Sequence, residues 1–334
     1  MTRSPCPQPE ITLLLSTYNG AAFLNAQLES ILAQTYQNWV LRWRDDGSSD
    51  GSVALLHDFA WRAGAQRCVE SPSSGAHLGA AQSFLTLLAE CPEADMVAFA
   101  DQDDVWLPEK LSFAVERIAS TGDAPALYCA RQFLVDADLQ GARLSASHDN
   151  PPGFPACLTQ NIANGNTLVM NAAAAALVAR MGQPEGTMHD WWSYITVSAC
   201  GGAIIFDERP TVFYRLHKGN LIGRAQRLPA RALAALRRGP GIFMTMLRRH
   251  AETLAGQAGL LTPQARRELK IIRRALNRGT FARVAALRIV KLRRRTWLEN
   301  LLFGYWFITD KRGTPIQGQA ILPHWAPRKQ PVAE

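Results

Sequence analysis

Apolar residues in this chain gather into short runs that each stop at a polar cluster. Ile11–Thr17 reads ITLLLST and Met96–Ala100 reads MVAFA. Runs of about four to eight apolar residues bounded by turn chemistry predict buried strands. Residues 39–44, WVLRWR, add a strand in which Trp39, Leu41 and Trp43 alternate with Val40, Arg42 and Arg44, and residues 67–70 suggest a shorter one. Between these runs the apolar spacing becomes helical. Phe23, Leu24, Leu28, Ile31 and Leu32 predict a helix over 22–33, and comparable patterns cover 53–62, 78–89 and 108–119, the last opening on Pro108. Strand and helix in alternation, with strands this apolar, predict an α/β fold around a mostly parallel sheet covered on both faces.

The pattern is less regular from residue 126 onward. Residues 126–131 and 132–135 read as two strands, 144–155 as a loop, and Asn161–Asn166 (NIANGN) as a hairpin turn. A short strand over 167–170 leads into a helix over Ala172–Met181. His189-Asp190-Trp191-Trp192 opens another helix, and 204–206 and 211–215 read as strands. Past residue 223 the texture changes to MLRRH, ARRELKIIRR and RIVKLRRR, helix-like segments in which apolar residues interleave with Arg. Two regions are therefore expected: an α/β domain over 1–223 and a basic, mainly helical region over 224–334.

Charge sharpens this division. The net charge of +8 conceals −10 over residues 1–223 and +18 over 224–334, so the second region is expected to seek an anionic partner. The six cysteines are scattered without CxxC spacing, which argues against a zinc site or a disulfide framework and fits a reduced compartment. The first ten residues, MTRSPCPQPE, lack the apolar core of a signal peptide, and no run of about 18 apolar residues occurs. A cytoplasmic protein, peripheral at the inner face of the cytoplasmic membrane, is the expectation.

The candidate chemistry sits where strands end. Asp101, Asp103 and Asp104 follow MVAFA directly. Carboxylates this close repel one another and need either open water or a divalent cation. Mg²⁺ or Mn²⁺ takes one or two carboxylates and leaves its other positions to water and phosphates. Thr17-Tyr18-Asn19 and Asp45-Asp46-Gly47-Ser48 also follow strands, and parallel pairing would bring all three clusters to one edge. Ligands bind at that edge in open α/β sheets. Asp190, at a helix start beside Trp191, reads either as an N-cap or as a general base next to an aromatic platform.

STYNG at 16–20, RDDGSSDGS at 44–52, LGAAQSF at 78–84, DQDDVWLPEKL at 101–111, HDWWSYI at 189–195 and FYRLHKGNLIG at 213–223 resemble, in order and spacing, the family 2 glycosyltransferases of the GT-A fold. Bacterial enzymes that add rhamnose and similar sugars to surface polysaccharides are the nearest likeness. The resemblance implies an inverting transfer from a dTDP- or UDP-sugar, rhamnose favoured, to a saccharide or lipid-linked acceptor. It implies Asp103 and His217 as ligands of Mg²⁺ or Mn²⁺, with Asp101 at the ribose or at metal-bound water. Thr17, Tyr18 and Asn19 would line the nucleoside, with Tyr18 and Trp43 as walls. Asp46 would accept from a pyrimidine imide N–H, which cytosine lacks. Arg215 would meet phosphate oxygens, Asn164 would lie under the acceptor, and Asp190 would be the base, with Trp191 or Trp192 against the sugar. Ser83 stands where many relatives carry Asn. Of the three acids, Asp104 is expected to matter least.

Two other classes remain open at this point. The basic region could bind nucleic acid, or the chain could be an inactive sugar-nucleotide-binding module. The apolar residues among the arginines favour helices lying on an anionic membrane surface, or a helical cap on the first region, and no nucleic-acid partner is expected. Donor hydrolysis is expected to survive removal of the region after residue 223.

Overall fold

A computed structural model describes residues 8–64, 66–148, 150–217 and 241–310. The first half alternates as its pattern predicts: β1 (Ile11–Thr17), α1 (Ala21–Leu32), β2 (Trp39–Asp45), α2 (Ser52–Ala63), β3 (Cys68–Glu70), α3 (Ala80–Ala89), β4 (Met96–Ala100). β5 (Val105–Trp106) and α4 (Lys110–Ala119) follow, the helix starting two residues after Pro108. β1 lies between β2 and β4, parallel to both, and β3 adds parallel to β2. Leu13, Leu14 and Leu15 are fully buried, because helices cover both faces of this half-sheet.

The second half breaks the parallel order. β6 (Ala126–Val135) is one continuous strand where the pattern suggests two, and β9 (Ala203–Arg215) likewise joins two expected segments. The sheet runs β3-β2-β1-β4-β8-β6-β9-β5, with β7 (Arg143–Leu144) on β6. β8 (Val169–Asn171) is antiparallel to both β4 and β6, and β5 is antiparallel to β9, so the sheet is mixed beyond β4. Irregular register around Ala130 and Arg131 on β6 lets β9 run beside it to Arg215. NIANGN is not a hairpin turn. It is an irregular crossing that enters a short 3₁₀ turn at Gly165–Thr167, and β8 pairs with β4 and β6 rather than with β7, the strand just before the loop.

α5 (Ala172–Met181) and α6 (His189–Ala199) pack behind the sheet. Among the described residues four more helices follow: α7 (Gly241–Gly256), α8 (Pro263–Asn277), α9 (Thr280–Ile289) and α10 (Trp297–Thr309). The boundary expected at residue 223 and the segment ALRRGPG up to Pro240 lie outside the described residues. The helices beyond do not build a separate core. Met244, Leu247, Leu269, Ile272, Phe303 and Phe307 join the same buried cluster as Phe84, Phe99 and Trp192. His250 of α7 is fully buried against the Trp191 and Trp192 rings and lies 2.7 Å from the Thr187 hydroxyl. Among the described residues no helix is long and apolar enough to cross a membrane.

A shared core has a thermodynamic consequence. Leu269→Ala or Ile272→Ala should cost about 2–5 kcal/mol and lower one common unfolding transition, followed by calorimetry and by a fluorescence probe in the first half. Removing residues 224–334 should abolish folding rather than leave a working core. Two separated transitions, or a soluble and folded truncated protein, would contradict the shared core.

Candidate active site

The ends of β1, β2 and β4 are tied together by side chains. Gln102, just past β4, accepts from the Thr17 hydroxyl and the Tyr18 N–H, both at 2.8 Å, and donates to the Tyr18 carbonyl. A side chain at Gly20 would meet the Gln102 carboxamide at 2.3 Å, so this approach requires glycine. Asn19, in the left-handed region at φ 48°, donates its N–H to the Ser48 hydroxyl and receives the Ser49 N–H on its side-chain oxygen. Ser52 and Asp50 receive the Gly20 and Ala21 N–H groups that open α1. The three strand-end clusters thus form one edge, as the parallel pairing predicts.

Asp46 is held inside the protein. Its carboxylate receives the Arg44 guanidinium at 2.6 Å, the N–H groups of Leu78 and Gly79, and the Ser83 hydroxyl, with the His77 ring at 2.9 Å. Burial pushes this carboxyl up, but those donors outweigh it and hold the group below its usual range. Arg44 is itself fully buried and also binds Ser83 and Ser73. Ser83 therefore serves this network. Asp45 differs: one oxygen receives the Gly47 and Ser48 N–H groups, while Oδ1 is buried without a protein partner. Trp43 is buried and takes no part in the rim. The rim beside Tyr18 is the half-exposed ring of His77, 4.8 Å away.

The acids after β4 separate by role. Asp104 is fully buried, receiving the Asn166 carboxamide at 2.6 Å and the Arg215 N–H at 3.2 Å. Burial, and then Asp103 and Asp101 beside it, push its carboxyl well above the usual range. Asp101 is pushed up to about 8, chiefly by burial and further by Asp103 and Asp190, with Lys110 opposing. Lys110 is fully buried with its ammonium 3.7 Å from the Trp106 ring centroid. Burial lowers it to about 7 against the pull of Asp104 and Asp101. Asp103 remains part-exposed, with Oδ2 2.8 Å from His217 Nε2. Arg215 is buried; its side chain donates to the carbonyls of Asp103 and Ala137 and lies over Phe23.

Asp190 reaches this cluster through the NIANGN loop. It is the second residue of α6, with Met188 in the cap position, so the N-cap reading does not apply. Its oxygens receive the Gly165 N–H at 3.1 Å, the Trp191 N–H and the Asn161 side chain. Burial outweighs these donors and raises the carboxyl to about 6. The same loop sends Asn166 to Asp104, two residues past Asn164, whose carbonyl receives the Thr167 N–H and hydroxyl. A side chain at Gly165 would strike the His189 ring at 2.8 Å. His189 itself is stacked on Phe84 and pushed down to about 3 by burial, so it is neutral. Trp191 donates to the Cys157 carbonyl and abuts His250, and Trp192 is wholly buried, so Trp192 cannot face a sugar. Among the described residues no group of three metal-ligating side chains converges. A cavity of about 570 Å³ beside Gly153, Thr262 and Glu268 involves none of these residues.

Residues 12–154 match glycosyl transferase family 2. The chain carries a family 2 glycosyltransferase domain, built on the GT-A fold. TarS of S. aureus, solved in complex with UDP-GlcNAc, superposes with a TM-score of 0.53 over 79% of this chain and 71% of its own, at 14% identity. The dTDP-rhamnosyl transferase RfbG of Shigella flexneri is 24% identical over 227 residues, 63% of this chain and 73% of that protein. The UDP-Glc:alpha-D-GlcNAc-diphosphoundecaprenol beta-1,3-glucosyltransferase WfgD of Escherichia coli is 29% identical over 105 residues, 31% of this chain and 39% of that protein.

Sequence reasoning ranks Asp104 last among the three acids, and its burial reverses that rank for stability. Asp104→Ala strands the Asn166 carboxamide and the Arg215 N–H and should cost about 2–3 kcal/mol by urea unfolding. Asp103→Ala, at a part-exposed position, should unfold close to wild type while losing donor turnover. The opposite ordering in urea would contradict these placements.

Proposed function

We propose that this protein transfers a sugar, rhamnose favoured, from a dTDP- or UDP-sugar to a hydroxyl of a saccharide or lipid-linked acceptor in surface polysaccharide synthesis, with inversion at the anomeric carbon. The observation that carries the reading is the NIANGN loop, which holds a buried carboxylate, Asp190, against the acid cluster at the strand ends. The likeness to RfbG, a dTDP-rhamnosyl transferase, supports dTDP-rhamnose, and the diphosphoundecaprenol acceptor of WfgD supports a lipid diphosphate.

The donor nucleoside lies along the ends of β1 and β2, against the rim that the Tyr18 and His77 rings form together. Asp46 has its oxygens filled by protein donors, so Asp45 Oδ1 is the better acceptor for a uracil or thymine imide N–H. Asp103 and His217 suit a divalent cation: a part-exposed carboxylate oxygen and a ring nitrogen already converge within 2.8 Å, and phosphate oxygens and water fill the rest of such a shell. Mg²⁺ or Mn²⁺ held there would supply positive charge to the leaving diphosphate. Asp101 stands between these ligands and Asp190, suited to a ribose hydroxyl or an ordered water.

Asp190 takes the proton as the acceptor hydroxyl attacks the anomeric carbon from the side opposite the diphosphate. The new bond to the acceptor oxygen forms as the bond to the diphosphate oxygen breaks, and the single displacement inverts configuration. A carboxyl raised to about 6 is mostly ionised at neutral pH yet more basic than an exposed one, which suits general base work.

The sign of the pH dependence follows. The base works ionised, so kcat/KM for transfer should rise with pH through about 6 and level off above it. Asp190→Asn should lose about 10²- to 10⁴-fold in kcat, with nucleotide affinity unchanged. An Asn variant near wild type would reduce Asp190 to a helix residue. In competition binding, UDP and dTDP should outrank GDP and CDP. Asp45→Asn keeps an oxygen for the Gly47 and Ser48 N–H groups and should erase that preference. Faster turnover of UDP-glucose or UDP-galactose than of dTDP-rhamnose would overturn the sugar assignment and leave the mechanism standing.

A further inference from the structure

The helices that complete the core leave an apolar surface uncovered. Six of the eleven large apolar side chains exposed among the described residues belong to α9 and α10: Phe281, Ile289, Trp297, Leu298, Leu301 and Tyr305. Isolated exposed apolar residues are ordinary, but concentration on adjacent elements is not. On α10, Trp297, Leu301 and Tyr305 are spaced i, i+4, i+8, with Leu298 beside them, so they form one stripe. Phe303, Trp306 and Phe307 occupy the other side and are buried. On α9, Phe281, Ala285 and Ile289 repeat the spacing, opposite buried Arg283 and Ala286. The two helices are neighbours, with Gly304 of α10 beside Leu287 of α9. Each stripe therefore points away from the common core, and together they make one outward face. Phe281 is 94% exposed and Trp297 74%.

The charges around this face have one sign. Arg288, Lys291, Arg293 and Arg295 are exposed on the end of α9 and on the segment that joins it to α10. The sole acid between Arg278 and Thr309 is Glu299, which is committed to the Thr296 capping box. We propose that the α9–α10 face docks on an anionic lipid bilayer, with Trp297, Leu298, Leu301, Tyr305, Phe281 and Ile289 inserted at the interface and the basic joint against lipid phosphates. Charge complementarity selects lipid over a second copy of this chain, because two such faces would set like charges against each other. Lying on the bilayer is the mode that fits, since no described helix can cross one.

The position of the joint ties the face to the acceptor side of the site. Lys291, Arg293, Arg294 and Arg295 line a cavity of about 440 Å³ together with Gln160 and Ile162. Gln160 receives the Arg295 N–H, and Thr159 donates to the Arg293 carbonyl. Asn161, between those wall residues, is the residue that binds Asp190. Docking would thus hold the acceptor side of Asp190 near the lipid surface, a consequence that rests on the transfer reading, while docking itself does not.

Vesicle flotation of the full chain tests the surface. The protein should float with phosphatidylcholine vesicles containing phosphatidylglycerol, and added salt should weaken this. Vesicles of phosphatidylcholine alone should bind far less. Trp297→Ser with Leu301→Ser should lower partitioning more than about tenfold. Arg288→Gln with Lys291→Gln should lower it about fivefold per charge at low salt. Both double variants alter exposed positions and should hydrolyse donor at the wild-type rate, so loss of hydrolysis in the wild type would sink the transfer reading without touching this one. Equal flotation of wild type and the Trp297/Leu301 variant, equal binding to neutral vesicles, or no flotation would overturn the proposal. So would a wild-type dimer in sedimentation that the same variant converts to monomer, since the face would then be a protein interface.

Discussion

Asp104 has no access to water, and the protein is arranged around that fact. An unpaired buried carboxyl is costly, and here Asp103 and Asp101 stand close enough to add repulsion. Three other parts of the chain, two of them distant in sequence, offset this. The end of β9 offers the Arg215 N–H, the loop over 161–166 offers the Asn166 carboxamide, and α4 begins with the Lys110 ammonium beneath the cluster. Each of these contacts also positions something else. The strand that brings the Arg215 N–H carries His217 to Asp103. The loop that brings Asn166 brings the Gly165 N–H and Asn161 to Asp190. Keeping one acid satisfied therefore sets the distance between the two sides of the candidate reaction.

The nucleotide edge is preorganised in the same manner. Gln102 latches the turn after β1, and Arg44 with Asp46 locks the turn after β2 to the start of α3. Little has to move for a nucleoside to bind there, so little binding energy is lost to ordering. The C-terminal helices extend this support. His250 fills the space behind Trp191 and Trp192, and thereby fixes the helix that presents Asp190. A region that reads as an appendage by charge is a wall of the active domain by packing.

Much of the first half is legible from pattern alone. β1, β4 and α5 occupy the residues their apolar runs define, because β1 and β4 are buried on both faces and α5 buries one face that its local spacing records. The convergence of Thr17, Asp45 and Asp101 follows from parallel pairing. The mixed half is less legible. Whether β6 continues past Arg131 depends on β9 lying beside it, a partner some 75 residues away that no local window contains. NIANGN has hairpin composition, yet its polar side chains serve Asp104 and Asp190 rather than a turn. Asp46 and Arg215 bear charges suited to ligand contacts, and both are used up by protein groups that sequence alone does not place nearby. Lys110, Gln102 and His77 were hidden for the converse reason. A Lys at a helix start reads as solvated, and only the fold reveals that it is buried beside Asp104 and Asp101. One signal was available: DQDDVWLPEKL places Lys110 six residues after Asp104, next to the helix start that Pro108 announces.

A structure of the protein with UDP or dTDP and Mn²⁺ would test most directly the claim that these residues form one transfer site. The nucleoside should lie against the Tyr18 and His77 rings, with the diphosphate against Asp103 and His217. The Asp190 carboxylate should face the open space beyond the terminal phosphate. A nucleotide seated elsewhere, or an Asp190 carboxylate walled off from the diphosphate by the loop over 161–166, would contradict the account.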